Sequence, residues 1–304
     1  MIDRFKGIFS GITPDPEIVA RMMNNPPAAK NFVVYFTPRS GSSWLTDVLA
    51  QTKRMGRCNE AFNPNFLPQM ARACQADNLE DYIDHIQRRL KTRNMFSFEI
   101  TFHQLKAIFP DESQFLRHFG VSPCFWLIRE DIVEQAVSLA KMVTTQVAHS
   151  PHSTPEDRAA ADARFDYDAK LIRKWLNHIL AAERENEAYF ARNRITPMRI
   201  SYERMFAIPT DHMLAIMADH VDMRLPFEEA YHPAHEKLGT SRNASFADRF
   251  RQEQADFLAE VDTERAPWLA QLQDLALTPT GPAQRRILRQ QREERQQAQR
   301  EART

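Results

Sequence analysis

Apolar positions along the chain follow two alternating rhythms. "NFVVYFT" (31–37) is a short, continuous run of β-branched and aromatic residues bounded by turn residues, which predicts a strand buried on both faces. In "SSWLTDVLAQT" the spacing changes at once: Trp44, Leu45, Val48 and Leu49 recur at the interval of one helix face. The same switch appears in "PCFWLIR" (123–129) followed by "DIVEQAVSLAKMV" (131–143). "MFSFEITF" (95–102) and "ITPMRISYE" (195–203) predict two further strands, and a short fifth one is predicted near Met55–Cys58. Helical patterns cover 16–23, 78–93, 165–193 and 210–220. Residues 144–163 are polar and broken by prolines, which predicts a long loop, usually functional or disordered in a compact domain. From 283 onward seven arginines face three glutamates, the pattern of a solvated, frayed helix or of a patch for an anionic membrane surface. The chain therefore divides into a lead-in (1–30), a main domain (31–282) and an arginine-rich tail (283–304).

Strands alternating with helices over the first 200 residues predict an α/β fold with a central, mainly parallel sheet covered by helices on both faces. Ligands of such sheets bind beyond the carboxyl ends of the strands. Thr37–Ser43, Glu60, His103 and Arg129 all fall just past predicted strand ends, so they are expected to converge on one edge.

Composition narrows the class. Of 304 residues, 43% are hydrophobic and 26% charged, an ordinary globular balance. Lysine plus arginine equals aspartate plus glutamate at 40 each, so overall charge predicts no nucleic-acid partner. Cys58, Cys74 and Cys124 have no metal spacing, and an odd count suits a reducing compartment. The N-terminal segment lacks the apolar core of a signal peptide, and no run reaches the roughly 18 apolar residues of a membrane span. A cytoplasmic protein is expected.

The loop "TPRSGSSWL" carries the first chemical signal. Helix N-termini present unpaired N–H groups and partial positive charge. Gly41 lets the backbone close round an anion, Ser40, Ser42 and Ser43 offer hydroxyls, and Arg39 offers a planar cation that forks onto two oxygens. An ordinary strand-to-helix connection reads the same way. The loop lacks the Gly-x-x-x-x-Gly-Lys-Ser/Thr pattern of a nucleoside triphosphate loop. Arg129 at a strand end and Ser138 two turns along the next helix form a second anion grip, against a salt bridge from Arg129 to Asp131 or Glu134 and a packing role for Ser138. His149 and His152 lie in the proline-rich loop, and no metal motif is present.

"TPRSGSSWL" with "REDIVEQAVSL" resembles the sulfotransferases that use 3′-phosphoadenosine 5′-phosphosulfate (PAPS). The closer likeness is to the bacterial carbohydrate branch, typified by trehalose 2-sulfotransferases and lipopolysaccharide sulfotransferases. It covers about residues 32–205, with "MGRCNE" ending at Glu60 and "RISYERM" (199–205) as further matching segments; "SFADRF" (245–250) is similar to a late family motif, and "EKLGTSRN" (236–243), with Lys237 and Arg242, reads as a solvated basic loop or resembles the late basic loop of cytosolic sulfotransferases. The resemblance implies a P-loop-NTPase-like three-layer fold and a homodimer. It implies that Arg39, Ser40, Gly41, Ser42 and Ser43 bind the 5′-phosphosulfate, that Arg129 and Ser138 bind the 3′-phosphate, and that Trp44 stacks on adenine or belongs to the core. Glu60 matches the branch's general base, and His103 is a second candidate. The implied acceptor is a carbohydrate or glycolipid hydroxyl, with no metal required. A P-loop kinase-type phosphotransferase and a non-catalytic nucleotide-binding scaffold are the competing readings.

Overall fold

A computed structural model describes residues 7–147, 154–225, 231 and 240–301. The chain opens with α1 (Pro16–Met23), β1 (Lys30–Phe36) and α2 (Ser42–Gln51), then α3 (Leu67–Ala73) and α4 (Leu79–Arg89). β2 (Met95–Ile100) is followed by α5 (Phe102–Ile108) and α6 (Glu112–Phe119), and β3 (Cys124–Ile128) by α7 (Ile132–Thr145), α8 (Pro155–Arg164) and α9 (Ala169–Arg192). β4 (Met198–Ser201) leads into α10 (Tyr202–Phe206), α11 (Thr210–His220), α12 (Ser241–Glu253), α13 (Ala255–Leu269) and α14 (Pro282–Glu301).

The four strands form one parallel sheet in the order β2-β1-β3-β4. Tyr35 sits in register with both Ile100 and Trp126, so the segments that leave β1, β2 and β3 emerge side by side. β1 is central and buried from Phe32 to Phe36, which is why its run is continuously apolar. Its residues alternate between two cores. Val33 and Tyr35 pack with Phe98, Ile100, Trp126 and an aromatic group that includes Phe62 and Phe115. Phe32, Val34 and Phe36 pack on the other face with Leu45, Val48 and Leu49 of α2 and Met213 and Met217 of α11. The result is the three-layer α/β architecture expected from the alternation of elements.

The strand predicted near Met55–Cys58 does not form. Gly56 (φ +85°) and Cys58 (φ +45°) are left-handed, and only Asn59 bridges Phe98. The Ser97 hydroxyl replaces the ladder: it donates to the Met55 carbonyl at 2.8 Å and accepts the Cys58 N–H at 3.1 Å. A Cβ at Gly56 would lie 2.2 Å from that oxygen, so the backbone approach requires glycine.

The loop predicted over 144–163 contains α8. Pro155 occupies its first turn, and Thr154 and Asp157 form a reciprocal capping box. Lys141 of α7 pairs with Asp162 of α8 at 2.6 Å. His149, His152 and Lys237 lie outside the described residues. The tail is a helix, α14, whose Arg285 and Arg289 pair with Asp219 and Asp222 at the end of α11. Among the described residues no helix is long and apolar enough to cross a membrane.

Candidate active site

The polar loop after β1 is bent by two left-handed residues, Arg39 (φ +67°) and Gly41 (φ +89°). A Cβ at position 41 would lie 2.5 Å from Cδ2 of Tyr202, so glycine is required by both conformation and space. Gly41 also occupies the N-cap of α2 and supplies no side-chain cap to its first turn. Thr37 and Ser40 are fully buried. Gln135 of α7 donates to Thr37 Oγ1 at 2.9 Å and to the Pro38 carbonyl at 2.8 Å, fixing the loop against that helix. The Ser40 hydroxyl is buried with no partner among the described residues.

Arg39 reaches across to α7, where its Nε donates to Ser138 Oγ at 3.1 Å. Burial, and then the neighbouring charge of Arg129, lower the Arg39 guanidinium below its ordinary pKa. Arg129 leaves the end of β3 with its guanidinium 4.7 Å from the Tyr202 ring centre. It pairs with Glu134 at 2.7 Å and with Glu203 at 3.5 Å. The ion pair to Glu134 weighed from sequence is thus present, while Asp131 pairs with Arg251 at 2.6 Å instead. Glu130, next to Arg129 in the chain, is held by Ser201 and by Arg204 of α10. The Arg39 and Arg129 guanidinium groups repel one another, and Glu134 and Glu203 offset part of the charge at Arg129.

A second cluster lies past the ends of β1 and β2. Glu60 Oε2 accepts from Asn63 Nδ2 at 2.7 Å and from Gln104 Nε2 of α5, so two amides fix the orientation of the carboxylate. Glu99 of β2 is buried beside it, with one carboxyl oxygen unpartnered among the described residues. Burial, and then the charge of Glu60, push the Glu99 carboxyl well above the ordinary carboxylate range, against a hydrogen bond to Ser42 at the start of α2. Ser42 and Glu99 thereby link Glu60 to the loop. His103 stacks on His178 of α9, ring centres 4.6 Å apart and planes 14° apart. Desolvation lowers the pKa of both rings, and at His178 the facing His103 adds to it. Trp44 packs on Phe206 at 4.5 Å, and Phe206 on Tyr202 at 4.7 Å, so an aromatic row runs from α2 to the Arg129 guanidinium.

The structure brings Arg39, Arg129 and Ser138 together, and places Ser40, Gly41, Ser42 and Ser43 at the junction between loop and helix. Trp44 is half-buried beside the second core. Gln104, next to His103 in the chain, donates to Glu60, whereas the His103 ring is turned onto His178 of α9. Arg242 is in α12 and donates to the Phe165 carbonyl at 3.1 Å. Among the described residues no group of three His, Cys, Asp or Glu converges to hold a metal. Sequence reasoning missed Glu99 and Gln135. A lone acid inside an apolar strand was the available signal for Glu99; Gln135, on a helix that reads as amphipathic, gave none.

Glu99 sets a pH dependence of stability. The folded chain keeps a proton that the unfolded chain releases above the ordinary carboxylate range, so this group makes stability fall as pH rises, by at most roughly 1.4 kcal/mol per pH unit. Glu99→Gln is expected to flatten that part of the profile and to stabilise the protein at neutral and higher pH. Denaturant unfolding of both proteins between about pH 5 and pH 8 measures it; parallel profiles would exclude a protonated Glu99.

A family model described as Stf0 sulphotransferase matches residues 31–253. No curated protein matches the chain. The matched segment takes in the loop after β1, the Glu60 turn, all of β2, β3 and β4, and the stretch from Arg129 to Ser138.

Proposed function

Because the chain belongs to the Stf0 sulphotransferase family and so is a sulfotransferase, we propose that it moves the sulfuryl group of PAPS to a hydroxyl of a carbohydrate or glycolipid. The observation that carries this reading is the Arg39–Ser138 hydrogen bond beside Arg129, which joins the loop of β1 to the grip on α7. A donor with anions at both ends of a nucleoside fits that pair of cationic positions better than a nucleotide with one phosphate chain.

In this reading the first-turn N–H groups of α2, Ser40, Ser42, Ser43 and Arg39 hold the 5′-phosphosulfate. Arg129 and Ser138 hold the 3′-phosphate, and the Trp44–Phe206 row offers an apolar face to adenine. The acceptor oxygen attacks sulfur in line, the bond from sulfur to the 5′-phosphate oxygen breaks, and a sulfate ester and 3′-phosphoadenosine 5′-phosphate leave. Charge grows on the departing phosphate oxygen, where fixed donors count most. Glu60, oriented by Asn63 and Gln104, takes the proton of the acceptor hydroxyl. Burial, and then the charge of Glu60, favour the protonated form of Glu99, which limits the negative charge beside Glu60.

Thermal melts with 3′-phosphoadenosine 5′-phosphate, adenosine 5′-phosphate and ATP in separate samples test the donor. The bisphosphate is expected to raise Tm most, by several degrees at saturating concentration. Stabilisation by ATP alone would overturn the proposal in favour of a kinase-type donor, and stabilisation by none would favour a non-catalytic role.

A further inference from the structure

Arg265 lies on α13, beyond the segment matched by the family model. Only 1% of it is exposed, which is rare for arginine without a specific set of partners. Its Nε and Nη2 form a fork on Glu183 of α9, itself fully buried, at 2.8 and 3.1 Å. The rest of the guanidinium turns to backbone: Nη1 donates to the Glu130 carbonyl at 2.9 Å and Nη2 to the Arg129 carbonyl at 2.5 Å.

Those two carbonyls belong to the turn from β3 into α7. The N–H groups of the same turn are held from the other side, where Glu203 accepts from Glu130 N at 2.8 Å and from Asp131 N at 3.3 Å. Residues 129–131 are therefore gripped on both backbone edges, by a cation at the carbonyls and a carboxylate at the amides. Side chains in this turn are aimed by that grip, and Arg129 is the one directed at Tyr202 and Arg39. A lysine at 265 has one point charge and cannot span Glu183 and two carbonyls, whereas the planar guanidinium does so in a single geometry.

We infer that Arg265 is a positioning residue for Arg129, so that α13 completes the subsite for the phosphate of the donor's ribose. The inference rests on the donor reading given above. It makes the sheet end that binds the nucleotide depend on a helix outside the matched segment, through α9 and its Glu183. Arg265 touches no part of the donor itself; it sets where Arg129 stands when the donor arrives. A displacement of Arg129 by a few tenths of an ångström weakens a forked bond to phosphate while leaving the loop after β1 intact.

The test is the ratio of two dissociation constants, measured by calorimetry well below Tm on full-length protein: adenosine 5′-phosphate over 3′-phosphoadenosine 5′-phosphate. This ratio isolates the 3′-phosphate. Loss of global stability alone lowers Tm but leaves it unchanged. Arg265→Lys is expected to lower the ratio about tenfold, by weakening the bisphosphate and sparing the monophosphate. The paired variant Glu183→Gln/Arg265→Gln removes the charges together, leaving no lone buried ion, and is expected to give the same loss. An unchanged ratio in either folded variant overturns the inference. A wild-type protein with no preference for the bisphosphate overturns the donor reading, and this inference with it.

Discussion

Arg39→Ala is expected to lower kcat/KM about 10³-fold, the loss seen when a donor to developing charge is removed from a preorganised site. That is about 4 kcal/mol of transition-state stabilisation. Arg39 is half-buried, and its guanidinium is fixed by Ser138 before any ligand arrives, so little reorganisation accompanies reaction. The side chain also feels the repulsion of the Arg129 guanidinium. Arg39→Lys keeps a cation but loses the fork and the contact through Nε, so it is expected to recover only part of the rate. Steady-state kinetics at varied donor concentration, with circular dichroism as the control for folding, measure both variants. Near-normal turnover by a folded Arg39→Ala protein would remove Arg39 from the catalytic role.

The second large effect is expected at Glu60. Glu60→Gln keeps a carbonyl oxygen able to accept from Asn63 and Gln104, so the local frame survives. What disappears is the capacity to take a proton, and kcat is expected to fall by about 10²–10⁴-fold with donor affinity nearly unchanged. His103 provides the comparison. Its ring is stacked on His178 of α9, and desolvation lowers its pKa, which favours the neutral form a base requires, while the Glu60 carboxylate is held by Asn63 and Gln104. His103→Ala is expected to cost much less. If His103→Ala abolishes turnover while Glu60→Gln leaves it intact, the base is the histidine.

The fold was legible wherever burial imposed a period. β1 and β3 are enclosed on both faces and read as continuous apolar runs, while α2 and α7 each bury one stripe. Met55–Cys58 misled because its residues are buried for a different reason: a turn tied to Ser97 by a hydroxyl, with no ladder. Pro155 misled because proline stops a helix in its interior but suits its first turn, and the Thr154–Asp157 cap was the better guide. Within the site, Arg39 and Arg129 were legible because each follows a strand end, whereas Glu60 was expected after a strand that does not form and stands beside β2 through the Asn59–Phe98 bridge. Glu99 sits inside a strand and Arg265 far along the chain; only the fold brings the one beside Glu60 and the other under Arg129.

The strand order has a consequence for how the protein comes into being. β1 is made early but lies in the middle of the sheet, and its neighbours arrive much later: Lys30 pairs with Met95, and Val33 with Cys124. Each parallel pairing closes a long crossover before it returns any contact, which is the slow class of topology. A nascent chain therefore carries the complete loop after β1 long before it has walls to hold it. Until β3, β4 and the helices after them emerge, the apolar faces of β1 are open to wrong partners. The order of synthesis exposes the central strand longest, so substitutions that make Phe32–Phe36 more apolar are expected to lower soluble yield before they alter the folded enzyme.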